Sequence, residues 1–206
     1  MQAITDLIMY FQKGGLVMWP LLACSITVIA IAIERFIYYK SVDSGVVFAF
    51  RYCAAVRSGD FAVATELARK GSGQCAQMLA DVEAVAGGKA EKSAFLESRA
   101  GIFMATLRVR LDYLGIIVTM SPLLGLLGTI VGMIGAFSIF NVEAGAPMAI
   151  TGGIGEALIA TATGLCVAIL SLCAHSYFAH RMDNMITDME QCFSALLEAE
   201  TRRGRS

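Results

Sequence analysis

The chain has 206 residues, 57% of them hydrophobic and only 16% charged, with a mean hydropathy of +0.67. That is the composition of a protein that crosses a membrane several times, and it excludes an ordinary water-soluble domain. A net charge of −1 with no basic run excludes a nucleic-acid footprint, so no nucleic-acid partner is expected. The six cysteines (Cys24, Cys53, Cys75, Cys166, Cys173, Cys192) show neither CxxC nor Cys/His ligand spacing, and read as small packing residues, not as a zinc or disulfide framework.

Residues 1–13 place Ile4, Leu7, Ile8 and Phe11 at helical spacing, which predicts a short amphipathic segment lying on a membrane surface or against a partner. A first span is predicted over 14–39. Gly14 to Ile33 is uncharged and closed by Glu34 and Arg35, too long for a signal-peptide core and without its basic leader or cleavage site. Pro20 falls in the first turns, where few helical hydrogen bonds are lost, and Trp19 suits the interface.

Residues 40–110 are polar and helical, with breaks at Ser58-Gly59-Asp60, Gly71-Ser72-Gly73 and Gly87-Gly88 that delimit two or three short helices. Asp60 is a predicted N-cap for Phe61 to Lys70. Beyond Gly88, the residues Phe103, Leu107, Leu111, Leu114 and Val118 form one stripe, which predicts a helix running without interruption into a second span over 111–140. A turn over 141–148 leads to a third span over 149–179. Met182, Met185, Met189, Cys192 and Leu196 then continue it as an amphipathic helix and tail over 180–206.

Between Leu111 and Phe178 there is no Lys or Arg, and both apolar runs exceed the roughly 20 residues needed to cross about 30 Å of hydrocarbon. Arg35, Lys40, Arg108, Arg110 and Arg181 crowd one set of span ends, whereas the other set offers only Lys13. The positive-inside rule therefore puts residues 40–110 and the C-terminus in the cytoplasm, with the N-terminus and the 141–148 turn outside.

The polar and small residues within these spans carry the question of function. Gly125, Gly128, Gly132 and Gly135 in the second span, and Ala157, Ala160, Thr161, Gly164 and Ala168 in the third, form small-residue stripes that let helices approach closely. The stripes serve either the chain's own hairpin or a contact between subunits. Thr129, Thr161 and Thr163 either bond back to carbonyls of their own helices or line a polar path. Glu156 is different, because a carboxyl group in a span costs a few kcal/mol (about 3 on insertion scales) and has no helical partner. It reads as functional, against the alternative that it snorkels outward or caps Gly152-Gly153.

The run Pro122-Leu123-Leu124-Gly125-Leu126-Leu127-Gly128-Thr129-Ile130-Val131-Gly132-Met133-Ile134, together with Gly153-Ile154-Gly155-Glu156-Ala157-Leu158-Ile159-Ala160-Thr161-Ala162-Thr163-Gly164-Leu165, resembles the MotA/TolQ/ExbB proton-channel family. The ExbB branch is most similar and TolQ next. Gly14-Gly15, Pro20-Leu21-Leu22 and Glu34-Arg35-Phe36 extend the resemblance over nearly the whole chain. It implies a stator subunit, five copies of which surround single-span helices of an ExbD-type partner bearing a membrane Asp. Proton flow at that interface would energise a TonB-like protein and outer-membrane uptake. Thr129 and Thr161 then match the pore threonines, Glu156 the pore-facing glutamate, and Pro122 the proline opening the second-span motif. Ala168-Ile169-Leu170 departs from the pattern, since many members carry a proline after Ala-Ile, and no role is carried over to His175.

The expectation is an all-α, three-span protein with long cytoplasmic helical extensions, assembling as a ring in the bacterial inner membrane. It is not expected to be an enzyme, and it needs no cofactor beyond protons as the coupling ion. The competing readings are a TolQ-type subunit serving envelope maintenance and a scaffold that conducts nothing. A solute transporter is disfavoured by three spans without an internal repeat.

Overall fold

The computed structural model describes residues 14–142 and 147–203, with side chains for 14–138 and 151–202. All regular structure among them is helical: α1 (Met18–Val42), α2 (Val46–Ser58), α3 (Phe61–Lys70), α4 (Gln74–Val82), α5 (Lys89–Val142) and α6 (Pro147–Arg203). Stretches long and apolar enough to cross a membrane occur in α1, α5 and α6, so this is an all-α membrane protein with three candidate spans. The amphipathic segment expected over 1–13 and the middle of the 141–148 turn lie outside the described residues.

Local chemistry sets the short helices. Gly59 ends α2 in the left-handed region (φ 80°), where a side chain is strained, and the N–H groups of Gly59 and Asp60 bond back to Val56 and Ala55 at 3.2 and 3.0 Å. Asp60 then caps α3 by accepting from the Val63 N–H at 3.3 Å. Another turn, Asp43-Ser44-Gly45, separates α1 from α2; there the Gly45 N–H donates to Asp43 Oδ1 at 2.8 Å. At the start of α5, the Gly88 N–H donates to Glu91 Oε2 at 2.9 Å.

The chain divides into two units. One combines Met1–Ile33 with Asp112–Ser176, the apolar parts of α1, α5 and α6. Its described core includes Val17, Met18 and Leu21 packed with Leu124. The outward faces of these helices carry Ile26, Ile29, Leu123, Ile134 and Leu158, all exposed, as helices surrounded by lipid or by other helices require.

The other unit combines Glu34–Leu111 with Tyr177–Ser206. Phe103, Leu107 and Leu111 of α5 and Met182, Met185, Met189, Cys192 and Leu196 of α6 are all buried, so both stripes form its core together with Tyr52, Leu79 and Val82. Arg35 is buried in this unit. Its guanidinium pairs with Glu34 at 2.8 Å, donates to the Thr106 carbonyl at 3.4 Å and lies 4.7 Å over the Tyr38 ring. Ion pairs Arg181–Asp43 (2.6 Å) and Lys92–Glu200 (2.8 Å) tie α6 to the α1–α2 turn and to the start of α5.

Candidate functional site

The apolar parts of α5 and α6 pack as a hairpin whose seam is made of glycine and alanine. A Cβ added at Gly125 would lie 3.1 Å from Thr161 Cα and 3.2 Å from the Ala160 carbonyl oxygen, and one at Gly128 would overlap Ala160 Cβ. At Gly132 it would meet the Gly153 carbonyl at 3.0 Å and Ala157 Cβ at 3.3 Å. Gly164 makes the seam's closest approach to backbone, where the added atom would lie 2.6 Å from the Ser121 carbonyl oxygen. These stripes are therefore used inside one chain. Gly135 is the exception, with open space where its side chain would be.

Backbones this close let hydroxyls reach across. Thr161 Oγ1 donates to the Gly125 carbonyl at 3.1 Å, and Ser171 Oγ to the Leu114 carbonyl at 3.0 Å, so two side chains of α6 bond carbonyls of α5. Thr129 and Thr163 do what isolated helical threonines do, donating to Leu126 and Ile159 of their own helices at 2.6 and 2.8 Å. Ser121 precedes Pro122, is fully buried, and its hydroxyl has no partner among the described residues. Pro122 lies within α5 and, having no N–H, leaves the carbonyl one turn earlier without its usual donor.

Glu156 stands apart from the threonines. It precedes Thr161 by five residues, about 140° around the helix, and its carboxyl group fills the place where a side chain at Gly15 would begin. Gly15 is free to accept this neighbour because it has no Cβ and sits at φ 70°. No hydrogen bond or ion pair to Glu156 occurs among the described residues, and Glu156 is half-buried. Thus Thr161 points into the hairpin seam, while Glu156 borders the turn that opens α1; one chain does not gather the three predicted polar residues into a single cluster. The ring of His175 lies beside Gly115 without a hydrogen bond among the described residues.

Sequence reasoning assigned no role at the site to Ser121, Ser171 or Gly15. Ser121 was within reach, since 121, 125, 128 and 132 form one stripe with the glycines. Gly15 was not, because its relation to Glu156 exists only once α1 is packed on α6.

The model of the MotA/TolQ/ExbB proton channel family matches residues 72–191, which include the whole hairpin seam. The chain is 34% identical over 170 residues to a putative biopolymer transport protein, ExbB-like 1, of Synechocystis sp., covering 79% of this chain and 66% of that one, just under two thirds of its length. It is 31% identical over 172 residues to ExbB-like 3 of the same organism, covering 78% and 79%. A shorter match, 38% over 87 residues, is to a putative ExbB homolog of Methanothermobacter thermautotrophicus, covering 42% of this chain and 31% of that protein. With the family match extending over more than half of the chain and ExbB-like relatives aligned over most of it, the chain belongs to the MotA/TolQ/ExbB proton channel family.

Proposed function

We propose that the chain is an ExbB-like stator subunit of the bacterial inner membrane that uses proton-motive force to energise TonB-dependent transport at the outer membrane. The observation that carries the reading is the polar content of an otherwise apolar hairpin. Within it the Glu156 carboxyl has no bonded partner among the described residues, and the hydroxyls of Thr129 and Thr161 are bonded only to carbonyls. Groups of this kind in a span are costly and are kept where ions or protons move.

In this account five copies form a ring around single-span ExbD-type helices, each bearing a membrane Asp. A threonine hydroxyl can donate to a carboxylate and accept from a carboxylic acid. Thr129 and Thr161 can therefore exchange their carbonyl bonds for a bond to the Asp, or to an ordered water, in either protonation state. Glu156, on the Gly15 side, keeps a hydrated polar point at the end of α6 nearest the outside. The N-terminus is periplasmic, the C-terminus cytoplasmic, and movement of the partner helices is passed to a TonB-like protein. The coupling ion is the proton, and no cofactor takes part.

The test is purification of the tagged full chain in mild detergent, followed by mass spectrometry of what accompanies it. The reading expects a one-span protein with a single membrane Asp, in a complex containing several copies of this chain. A preparation that contains only this chain, from cells expressing such a partner, would defeat the reading.

A further inference from the structure

One face of α2 is unusually apolar for a helix outside the spans. Val46 and Val47 are 65% exposed and Phe50 75%, and Arg51, Ala54 and Arg57 lie on the same face, all exposed. The opposite face, with Tyr52, Cys53 and Val56, is buried, so the exposure is not a helix lying loose. Neither arginine is in an ion pair among the described residues.

On another side of the same unit, a groove of about 270 Å³ runs between α5 and α6. Met104, Ile186, Met189 and Phe193 form its apolar floor, and the carboxylates of Glu97 and Glu190 stand at its edges. Both carboxylates are exposed and neither is ion-paired among the described residues.

The strip and the groove are at the same height. Asp43, just before α2, is 2.6 Å from Arg181, and the Cys192 thiol lies 3.9 Å from both the Ala49 carbonyl oxygen and the Cys53 sulfur. Residues 46–54 are thus level with roughly 185–195 of α6, the stretch that supplies the groove.

We infer that the α2 strip of one copy docks into the α5–α6 groove of the next. Phe50 and Val47 enter the apolar floor, while Arg51 and Arg57 meet Glu97 and Glu190. A second copy is favoured because it satisfies both surfaces at once: apolar ridge with apolar groove, and paired cations with paired carboxylates. An anionic lipid surface would suit the strip alone and leave the acidic groove unfilled. Strip and groove are different patches, so the contact is heterologous. Because they are level along α6, it repeats by rotation without translation, which closes a ring instead of growing a filament. The inference rests on the ring assembly proposed above and names the surfaces that build it.

The experiment places the photo-crosslinking residue p-benzoylphenylalanine at position 50 of the full chain, irradiates native membranes, and maps the products by mass spectrometry. Dimers of this chain joined between position 50 and residues near Met104 or Phe193 are expected. Reversing the strip charges (Arg51→Glu with Arg57→Glu) should lower that yield by roughly tenfold, and adding Glu97→Arg with Glu190→Arg should restore it. Restoration also excludes misfolding as the cause of the loss. Crosslinks to lipid, to another protein or to another part of this chain would overturn the docking surface, as would failure of the four-fold variant to recover. Native mass spectrometry of the unirradiated protein separates the two ideas: a ring with crosslinks elsewhere refutes only the docking surface, whereas a monomer refutes the ring itself.

Discussion

Gly164→Ala adds one methyl group at the place in the α5–α6 seam where an added Cβ comes closest to backbone. Its Cβ would lie 2.6 Å from the Ser121 carbonyl oxygen, 3.0 Å from Gly125 Cα and 3.1 Å from Gly125 N. The closest of these is 0.8 Å short of the 3.4 Å at which ordinary contact begins, and all three atoms are backbone, so no rotamer change relieves the overlap. The two helices have to separate, which also stretches the 3.1 Å bond from Thr161 to the Gly125 carbonyl. Overpacking of this kind costs about 1–3 kcal/mol, against which alanine recovers at most about 1 kcal/mol of helix propensity. Gly155 provides the control, having nothing within 4 Å of its added Cβ, so Gly155→Ala should be neutral or stabilising by up to about 1 kcal/mol. The two substitutions, nine residues apart on one helix, should therefore differ by about 2 kcal/mol, more than a tenfold change in the unfolding equilibrium. Reversible unfolding in mixed micelles, titrated with a denaturing detergent, measures both. Equal stabilities for the two variants would refute the assignment of this seam.

Three further outcomes follow from the geometry. Gly15→Ala should destabilise by about 1–2 kcal/mol through its positive φ alone and further by displacing the Glu156 carboxyl, so combining it with Glu156→Ser should recover only the second part; strictly additive effects in the double-mutant cycle would mean the two residues do not touch. Burial, and then the neighbouring Asp43 carboxylate, raise the Asp188 carboxyl above its ordinary range, although Arg181 opposes them, so charged Asp188 costs stability above its folded pKa and the cost fades as pH falls. Asp188→Asn should accordingly raise the melting temperature at about pH 8 and lose that advantage towards about pH 4; a gain unchanged over that range would contradict the assigned cause. Burial, with Cys192 adding to it, pushes the Cys53 thiol up to about 11, so iodoacetamide at about pH 8 should leave Cys53 unmodified until the protein is unfolded, and rapid labelling of the native protein would show that the α2–α6 contact is open.

The parts of this fold that local chemistry dictates were legible in the sequence. Asp60 two residues after Ser58, with Gly59 between, spells a helix stop and a cap, and both form as backbone and side-chain hydrogen bonds within a few residues. The stripes from Phe103 and Met182 onward were legible for the same reason, because a period of 3.6 identifies a buried face whatever it packs against. The Asp43-Ser44-Gly45 turn was readable as an Asx turn but is short and lies close to a long apolar run. What could not be read was the direction of single polar groups. Thr129, Thr161 and Thr163 look alike in an apolar helix, yet only Thr161 crosses to the other helix, because Gly125 brings its carbonyl within reach. The proximity of Glu156 to Gly15 depends in the same way on how α1 meets α6, a contact between residues 141 positions apart that no local pattern encodes.

The central claim is that hydroxyls of this hairpin take part in proton transfer, and the most direct measurement is proton flux into liposomes containing the purified complex with the proposed one-span partner, driven by an imposed membrane potential. Thr161→Val keeps the shape of the side chain and removes its hydroxyl, whereas Thr161→Ser keeps the hydroxyl and removes a methyl group. With assembly checked by native mass spectrometry, the account predicts that Thr161→Val abolishes the flux and Thr161→Ser retains most of it; undiminished flux through a correctly assembled Thr161→Val complex would contradict it.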